Sequence, residues 1–141
     1  TVDPVARSVA RAVIDRQSQE FPRLDERLTG KPYRYAYTVP FPEGSEDFVA
    51  QSFLIKHDLL AGTRQDHALG AHRRPCEFVF VPKSAAAAED EGWLMGYVVD
   101  LEHETTDLVI IDAQNFAGPP QAVITIPHRV PPGFHGNWVA S

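Results

Sequence analysis

The residues Glu77-Phe-Val-Phe-Val-Pro82 begin the part of the chain in which the strand pattern is clearest. Three segments of the same kind follow, rich in β-branched and aromatic residues: Trp93-Leu-Met-Gly-Tyr-Val-Val-Asp-Leu101, Leu108-Val-Ile-Ile-Asp112 and Ala122-Val-Ile-Thr-Ile126. Connections separate them at residues 84–92 and 114–120, where turn residues cluster. Four short strands in succession predict a four-stranded antiparallel meander over about residues 75–127.

A less regular version of this pattern precedes it. Residues 33–39 alternate aromatic and other side chains, and strands are also predicted near residues 48–56 and 63–69. An irregular connection is expected over residues 19–26, because Pro22 cannot donate a ladder hydrogen bond and restricts Phe21 to extended conformations. Residues 5–15 fit a short helix and an alternating strand equally well. The region of about residues 31–70 is therefore expected to be a partial blade of three strands.

Antiparallel meanders without a convincing long helix are typical of two architectures, the all-β sandwich and the β-propeller with its blade-like meanders. Two blades cannot close a ring, because propellers contain at least four. The chain is therefore predicted to be a single all-β unit over residues 1–141. It is either a sandwich or the C-terminal piece of a larger propeller, and residues 128–141 form its tail.

Composition excludes several functional classes. The chain has 141 residues, 43% of them hydrophobic, and a formal charge of −6, which argues against a nucleic-acid partner. No apolar run approaches the ~20 residues of a membrane span, and no secretory signal peptide opens the chain. The chain has a single cysteine, Cys76, which excludes an internal disulfide and favours a reducing cytoplasmic setting. Its side chain is expected to be a buried, inert thiol. No motif typical of serine hydrolases or nucleotide-binding proteins occurs.

One histidine stands out near the end of the chain, in Val130-Pro-Pro-Gly-Phe-His-Gly-Asn-Trp138. His135 lies between two glycines, a residue type that lets the backbone take positive φ and approach a neighbour closely. An imidazole held in such a bend can present a ring nitrogen in a fixed direction, as a metal ligand or a catalytic base requires. The competing interpretation is that His135 is part of an ordinary loop.

Two acids are candidate partners of such a histidine. Glu77 precedes an apolar run, where a carboxylate is costly unless it is paired, and ligand histidines commonly donate their second N–H to a carboxylate. Glu20 stands beside an apolar Phe-Pro pair. The alternatives are a charge that protects an edge strand for Glu77 and a solvated loop acid for Glu20. Solvated turn residues are the preferred interpretation of four other histidines: His57, His67, His72 and His103.

Several motifs, taken in order, resemble the C-terminal portion of the carotenoid cleavage oxygenases, a family that includes lignostilbene dioxygenases and the retinoid isomerohydrolase of the eye. The motifs that carry this resemblance are Glu20-Phe-Pro-Arg-Leu-Asp25, Gly30-Lys-Pro-Tyr-Arg-Tyr-Ala-Tyr37, His57-Asp58 with Gly62, Glu77-Phe-Val-Phe-Val-Pro82, Glu89-Asp-Glu-Gly-Trp-Leu94, residues 108–113 and Val130-Pro-Pro-Gly-Phe-His-Gly136. They span about residues 13–138. The order and number of these matches make the resemblance specific.

The resemblance implies a seven-bladed β-propeller with Fe(II) on its axis, held by four histidines, three of which have an outer glutamate. His135 matches the last iron ligand, while Glu20 and Glu77 match two of the glutamates. Phe134 is expected to line the substrate tunnel or to pack in the core. The implied partners are O2, an apolar polyene or stilbene, and the remaining N-terminal blades. His128 and the four histidines assigned to turns fall in no ligand motif.

The implied activity is cleavage of a carbon–carbon double bond of a carotenoid, apocarotenoid or stilbene, and these residues alone are expected to lack a complete iron site. The alternative is a non-catalytic β-domain, either a degenerate remnant or a binding module without metal. A lipophilic substrate favours association with a membrane, but no patch for it is evident in the sequence. The substrate, its scissile bond and a dioxygenase or isomerase outcome stay open.

Overall fold

The computed structural model describes residues 1–44, 50–131 and 133–139 of the chain. The described residues contain ten strands and one 3-10 turn, Glu26–Leu28. The strands are β1 (Val2–Asp3), β2 (Ser8–Val9), β3 (Gln19–Arg23), β4 (Tyr35–Pro40), β5 (Phe53–Asp58), β6 (Thr63–Ala68), β7 (Arg73–Pro82), β8 (Gly92–Asp100), β9 (Thr105–Asp112) and β10 (Ala122–Ile126). None of the helices in the described part has the length and apolarity needed to cross a bilayer.

Two four-stranded antiparallel sheets make up most of the fold. The first has the order β3-β4-β5-β6 and the second the order β10-β9-β8-β7, so each is a simple meander of consecutive strands. A separate two-stranded sheet pairs β1 with β2. The prediction of an all-β chain built from antiparallel four-stranded meanders is confirmed. We call β3 to β6 the first meander and β7 to β10 the second.

The first meander differs from the prediction at its beginning. Residues 19–26 were expected to be an irregular connection, which is wrong, because Gln19–Arg23 forms β3 and pairs with β4. The first meander therefore has four strands, not three, and starts before residue 31. Pro22 fits into the strand because the pairing with β4 is interrupted by a bulge between Glu20 and Arg23. Phe48, expected to open the next strand, lies outside the described residues.

Two further expectations need correction. The structure extends β7 back to Arg73, so Glu77 lies inside a strand and does not open it. The N-terminal segment is neither the helix nor the continuous strand considered for residues 5–15. It forms only the short β1–β2 pair, and Val13 and Ile14 beyond it are exposed. Because the segment buries little apolar surface, its hydrophobic spacing does not decide its structure.

The core lies between the two meanders. Tyr37 of β4 stacks on Phe80 of β7 with ring centroids 5.8 Å apart, and Phe116 packs against Tyr37 from the turn after β9. All three side chains are buried, and the removal of each phenylalanine from water contributes about 1.5–3 kcal/mol. Gly96 of β8 lies against Phe78, and a Cβ at residue 96 would come within 2.5 Å of that ring. This packing joins the meanders and fixes how β3 and β7 meet.

Candidate metal-ligand site

The candidate site lies where the first strands of the two meanders, β3 and β7, lie against each other. Both strands are bulged. The irregularity in β3 falls between Glu20 and Arg23, and that in β7 falls between Pro75 and Phe78. A bulge inserts an unpaired residue and re-aims nearby side chains, and bulges are over-represented next to functional sites. The two candidate glutamates therefore lie at, or inside, the two bulges.

The bulge in β3 places Phe21 in a left-handed conformation, with φ of 54°. The sequence predicted an extended Phe21 because Pro22 follows it, and this prediction is wrong. Such a backbone is uncommon for an aromatic residue and costs of order 1–3 kcal/mol. Burial of the Phe21 side chain, which packs against Phe41, offsets this cost.

Glu77 lies at the centre of a hydrogen-bond network. Arg23 donates from Nε to Oε1 at 2.8 Å and from Nη2 to Oε2 at 2.9 Å. The backbone N–H of Gly136 donates to Oε2 at 2.8 Å, and Nδ1 of His135 lies 3.2 Å from Oε1. Only 7% of the Glu77 side chain is exposed. The carboxylate is thus buried with its oxygens satisfied, which excludes the alternative of a charge that protects an edge strand.

Burial alone would raise the pKa of Glu77. Hydrogen bonds from Arg23, Gly136 and His135, together with the positive charge of Arg23, outweigh that effect and hold its pKa below the ordinary value. The same carboxylate raises the pKa of Arg23, chiefly through its hydrogen bonds. Glu77 is therefore ionised at neutral pH and can only accept hydrogen bonds. Nδ1 of His135 must accordingly carry the proton.

The His135 ring has one face on the protein and one open side. It meets Phe21 edge to face, with centroids 6.0 Å apart and an interplanar angle of 88°. Its side chain is 74% exposed. With Nδ1 protonated and bonded to Glu77, Nε2 on the far side of the ring has its lone pair available. This arrangement can present one neutral nitrogen to a metal ion or act as a base.

Next to His135 is an open cleft of about 550 Å³. It is lined by Glu20, Phe21, Pro22, Arg23, Glu77, Phe134 and His135. A second cleft of about 230 Å³ shares the side chains of Phe134 and His135 and continues to Cys76. Cys76 is half-buried, and burial raises the pKa of its thiol, which fits the predicted unreactive cysteine. Phe134 is exposed, so core packing within the described chain is excluded for it.

Glu20 contrasts with Glu77. It borders the same cleft but is exposed, and its carboxylate has no hydrogen-bond or ion-pair partner among the described residues. The structure thus brings all four predicted site residues to one cleft. It pairs only Glu77 with His135.

The glycines around His135 have room for a side chain. Gly136 does not have a positive φ, and a Cβ at Gly133 or Gly136 would meet no atom within 4 Å in the described chain. The reason is that this tail lies on an open surface. Gly136 contributes through its backbone, since its N–H binds Glu77 and its carbonyl accepts from Arg23.

Two of the histidines predicted to be solvated turn residues are in fact buried, His57 and His67. His57 lies 2.8 Å from Oε1 of Gln19, and Nδ1 of His67 lies 2.7 Å from the Phe116 carbonyl. Both are buried because they lie inside strands, β5 and β6, whereas the sequence pattern had placed them in turns. Two others, His72 and His103, are exposed as expected, and His128 is exposed as well. None of the five lies at the cleft.

Within the described residues no group of three or more histidine, cysteine or acidic side chains could hold a metal ion. The cleft offers one imidazole, His135, with its carboxylate partner. A metal site at this cleft would need further ligands from beyond these residues.

Sequence reasoning missed Arg23, which binds Glu77 and the Gly136 carbonyl. It lies three residues after Glu20, inside a segment interpreted as a connection. An arginine beside a candidate glutamate was the available signal. The partner of that arginine lies 54 residues away, and no local pattern identifies it.

Comparisons with known proteins identify the family to which the chain belongs. A family model described as RPE65, retinal pigment epithelial membrane protein, matches residues 1–140. The apocarotenoid-15,15'-oxygenase of Synechocystis is 33% identical over 138 residues, covering 98% of this chain and 28% of the relative. A carotenoid cleavage oxygenase of Mycobacterium tuberculosis is 37% identical over 141 residues, with the same coverage. A lignostilbene-alpha,beta-dioxygenase of Sphingomonas paucimobilis is 32% identical over 130 residues, covering 84% of this chain and 26% of the relative.

Solved structures give the same result. The cobalt-substituted apocarotenoid oxygenase of Synechocystis matches with a TM-score of 0.90 and 31% identity, over 99% of this chain and 29% of that structure. The chain therefore spans about 28% of the length of the curated relatives it matches most fully.

Proposed function

Because the chain belongs to the RPE65 family, whose members include carotenoid cleavage oxygenases, we propose that it supplies one ligand of a shared iron site in a longer dioxygenase. We call that longer protein the parent protein. In it, this chain would be the C-terminal portion of a seven-bladed propeller. The single observation that carries the proposal is the buried Glu77 carboxylate bonded to Nδ1 of the exposed His135.

The residues at the cleft fit a ferrous ion. A neutral imidazole suits Fe(II), and a carboxylate on its other nitrogen fixes the tautomer and the ring orientation, as in many metal sites. Nε2 of His135 would be the ligand atom, and Glu77 would orient the ring. Glu20 would accept a hydrogen bond from a ligand histidine that lies outside this chain. A structural relative has a cobalt-substituted form, which favours a metal in the parent protein as well.

The proposed reaction is cleavage of a carbon–carbon double bond by O2. The alkene double bond and the O–O bond break, and two carbonyl groups form, so that no other reactant is required. The iron, when bound, supplies the redox chemistry that O2 needs to react with a closed-shell alkene. The names of the relatives favour a carotenoid, an apocarotenoid or a stilbene as substrate.

The protein side chains have separate tasks in this proposal. Phe21, Pro22 and Phe134 give the cleft apolar walls suited to a polyene or stilbene. The Phe21 ring also limits the movement of the His135 imidazole, against which it packs. Glu77 holds a proton on Nδ1, which would leave Nε2 as the atom that the neutral ring offers to the metal.

The experiment is metal analysis of the parent protein and two variants. His135→Ala should lose stoichiometric iron and all cleavage activity, because the described part of the cleft contains no second imidazole. The control is His128→Ala, which removes an exposed histidine seven positions earlier and should keep both. Stoichiometric iron in His135→Ala would contradict the proposal.

The alternative function, a non-catalytic β-domain without metal, makes the opposite prediction. Under that alternative the wild-type parent protein would bind no iron, and His135→Ala would match it. The paired geometry of His135 and Glu77 favours the enzyme, since a loop histidine without a function has no need of a buried carboxylate partner.

A further inference from the structure

Arg23 joins three parts of the molecule at the cleft. Its guanidinium bonds both oxygens of Glu77 on β7, and Nη2 also donates to the Gly136 carbonyl at 2.6 Å. Nη1 donates to Oε1 of Glu26 at 2.6 Å. All three guanidinium nitrogens are used, and the side chain is only 17% exposed. An arginine in β3 thus connects the first meander to the second and to the tail.

The two bonds from Arg23 to Glu77 fix the plane of the carboxylate. A guanidinium is a rigid planar fork, and a fork that bonds both carboxylate oxygens restricts rotation about the last side-chain bond of the glutamate. Oε1 of Glu77 then accepts hydrogen bonds from Arg23 and His135, while Oε2 accepts them from Arg23 and Gly136. The direction in which Glu77 accepts from Nδ1 of His135 is therefore set by Arg23.

Residues 133–139 of the tail form no strand, and all are exposed. Hydrogen bonds from this segment to the sheets converge on neighbouring side chains. The Gly136 carbonyl accepts from Arg23, the Gly136 N–H and His135 bind Glu77, and Asn137 donates to Glu26 at 3.4 Å. Glu26 is itself held by Arg23. Each of these contacts is made to Arg23 or to a carboxylate that Arg23 orients.

We propose that Arg23 is the positioning residue of this site, holding Glu77 and the Gly136 carbonyl so that His135 presents Nε2 to the metal in one orientation. The proposal rests on the function proposed above, since it assumes that His135 is a ligand. Arg23 does not bind the metal. It acts through Glu77 and the tail backbone, and its planar fork, not its charge alone, is required.

The test is Co(II) binding to the metal-free parent protein, followed by titration and by the visible absorption of the bound ion. Arg23→Lys keeps the charge but loses the fork, and should weaken Co(II) binding by about 10–100-fold and shift the absorption bands. The matched control is Arg34→Lys. Arg34 makes the same two-pronged contact, to Asp58 at 2.9 and 2.6 Å, but lies outside the cleft. The Arg34→Lys variant should bind Co(II) with the wild-type affinity, and the bound ion should show the wild-type absorption spectrum.

A second measurement separates positioning from folding. In Arg23→Ala, added guanidinium ion should occupy the space that the arginine side chain leaves beside Glu77 and should restore part of the lost Co(II) affinity. Wild-type affinity and spectrum in Arg23→Lys, or no rescue of Arg23→Ala by guanidinium, would overturn the role of Arg23. If His135→Ala binds Co(II) like the wild type, the proposed function itself fails. If His135→Ala loses Co(II) and Arg23→Lys does not, only the positioning role fails.

Discussion

Glu20 and Glu77 occupy similar places in the two meanders and have opposite surroundings. Both lie beside bulges in the first strands, β3 and β7, and both border the same cleft. Glu77 is buried and receives donors from Arg23, His135 and Gly136. Glu20 is exposed and has no polar partner among the described residues.

The difference indicates where the rest of the site lies. The hydrogen-bonding capacity of Glu77 is used within this chain, because its histidine partner belongs to the tail. That histidine lies 58 residues after Glu77, and the fold brings the tail back to β7. Glu20 has the same kind of position but lacks a histidine in the described chain. We infer that its partner comes from another part of the parent protein. In the proposed site, Glu77 therefore pairs with a histidine of this chain, while Glu20 would pair with a histidine of another part of the parent protein.

The largest expected effect comes from breaking the Glu77 network. Glu77→Ala should destabilise the parent protein by about 3–5 kcal/mol, because it leaves a largely buried Arg23 without its main carboxylate. It should also abolish stoichiometric metal binding. Urea unfolding and metal analysis measure the two effects. Glu26→Ala is the control, since Glu26 pairs with the same arginine but is half exposed, and should cost only about 0.2–1 kcal/mol. Equal costs would contradict the central place of Glu77.

Glu20 should show the reverse profile. Glu20→Gln in the parent protein should weaken metal binding by about 10–100-fold, because it alters the acceptor of a second ligand histidine. Its free energy of unfolding should stay within about 0.5 kcal/mol of the wild type, because the side chain is exposed. Metal titration and urea unfolding test this, with Glu102→Gln in an exposed turn as control. A stability loss as large as that of Glu77→Ala would show that the two acids have the same role.

Acid should separate the two glutamates further. The pKa of Glu77 is held below its ordinary value of 4.5, so its contribution to stability is complete above pH 4.5 and is lost as the pH falls through the lower folded-state value. Metal-free wild-type protein should therefore lose more stability between neutral pH and pH ~3 than Glu77→Gln does. Urea unfolding at a series of pH values provides the measurement. Parallel curves for the two proteins would contradict the low pKa.

The smallest effect on stability is expected at Phe134. Phe134→Ala should change the free energy of unfolding by less than about 0.5 kcal/mol, because the ring is exposed. If the ring forms part of the substrate wall, KM for an apolar substrate should rise while the metal content stays unchanged. Steady-state kinetics with metal analysis measures both. An unchanged KM would show that Phe134 does not contact the substrate, and it would not affect the contrast between Glu20 and Glu77.

Much of the fold was predictable because its signals are local. Strand β10 begins and ends at the predicted residues, and β8 is displaced from its prediction by one residue at each end. Alternating apolar residues and intervening turns act over a few positions, which a sequence displays directly. Strand β3 was missed because a proline and a bulge interrupt its pattern. The burial of His57 and His67 was missed because it depends on packing and not on neighbouring residues.

The sequence by itself determined the antiparallel meanders and the identities of the candidate residues, including His135, Glu77 and Glu20. Tertiary structure alone decided that Arg23 bonds both oxygens of Glu77, that Gly136 contributes through its backbone, and that Glu20 lies exposed at the cleft. Strand patterns arise from residues two positions apart. The contacts of the site join residues 54, 59 and 113 positions apart, and only packing of the two meanders and the tail brings them together.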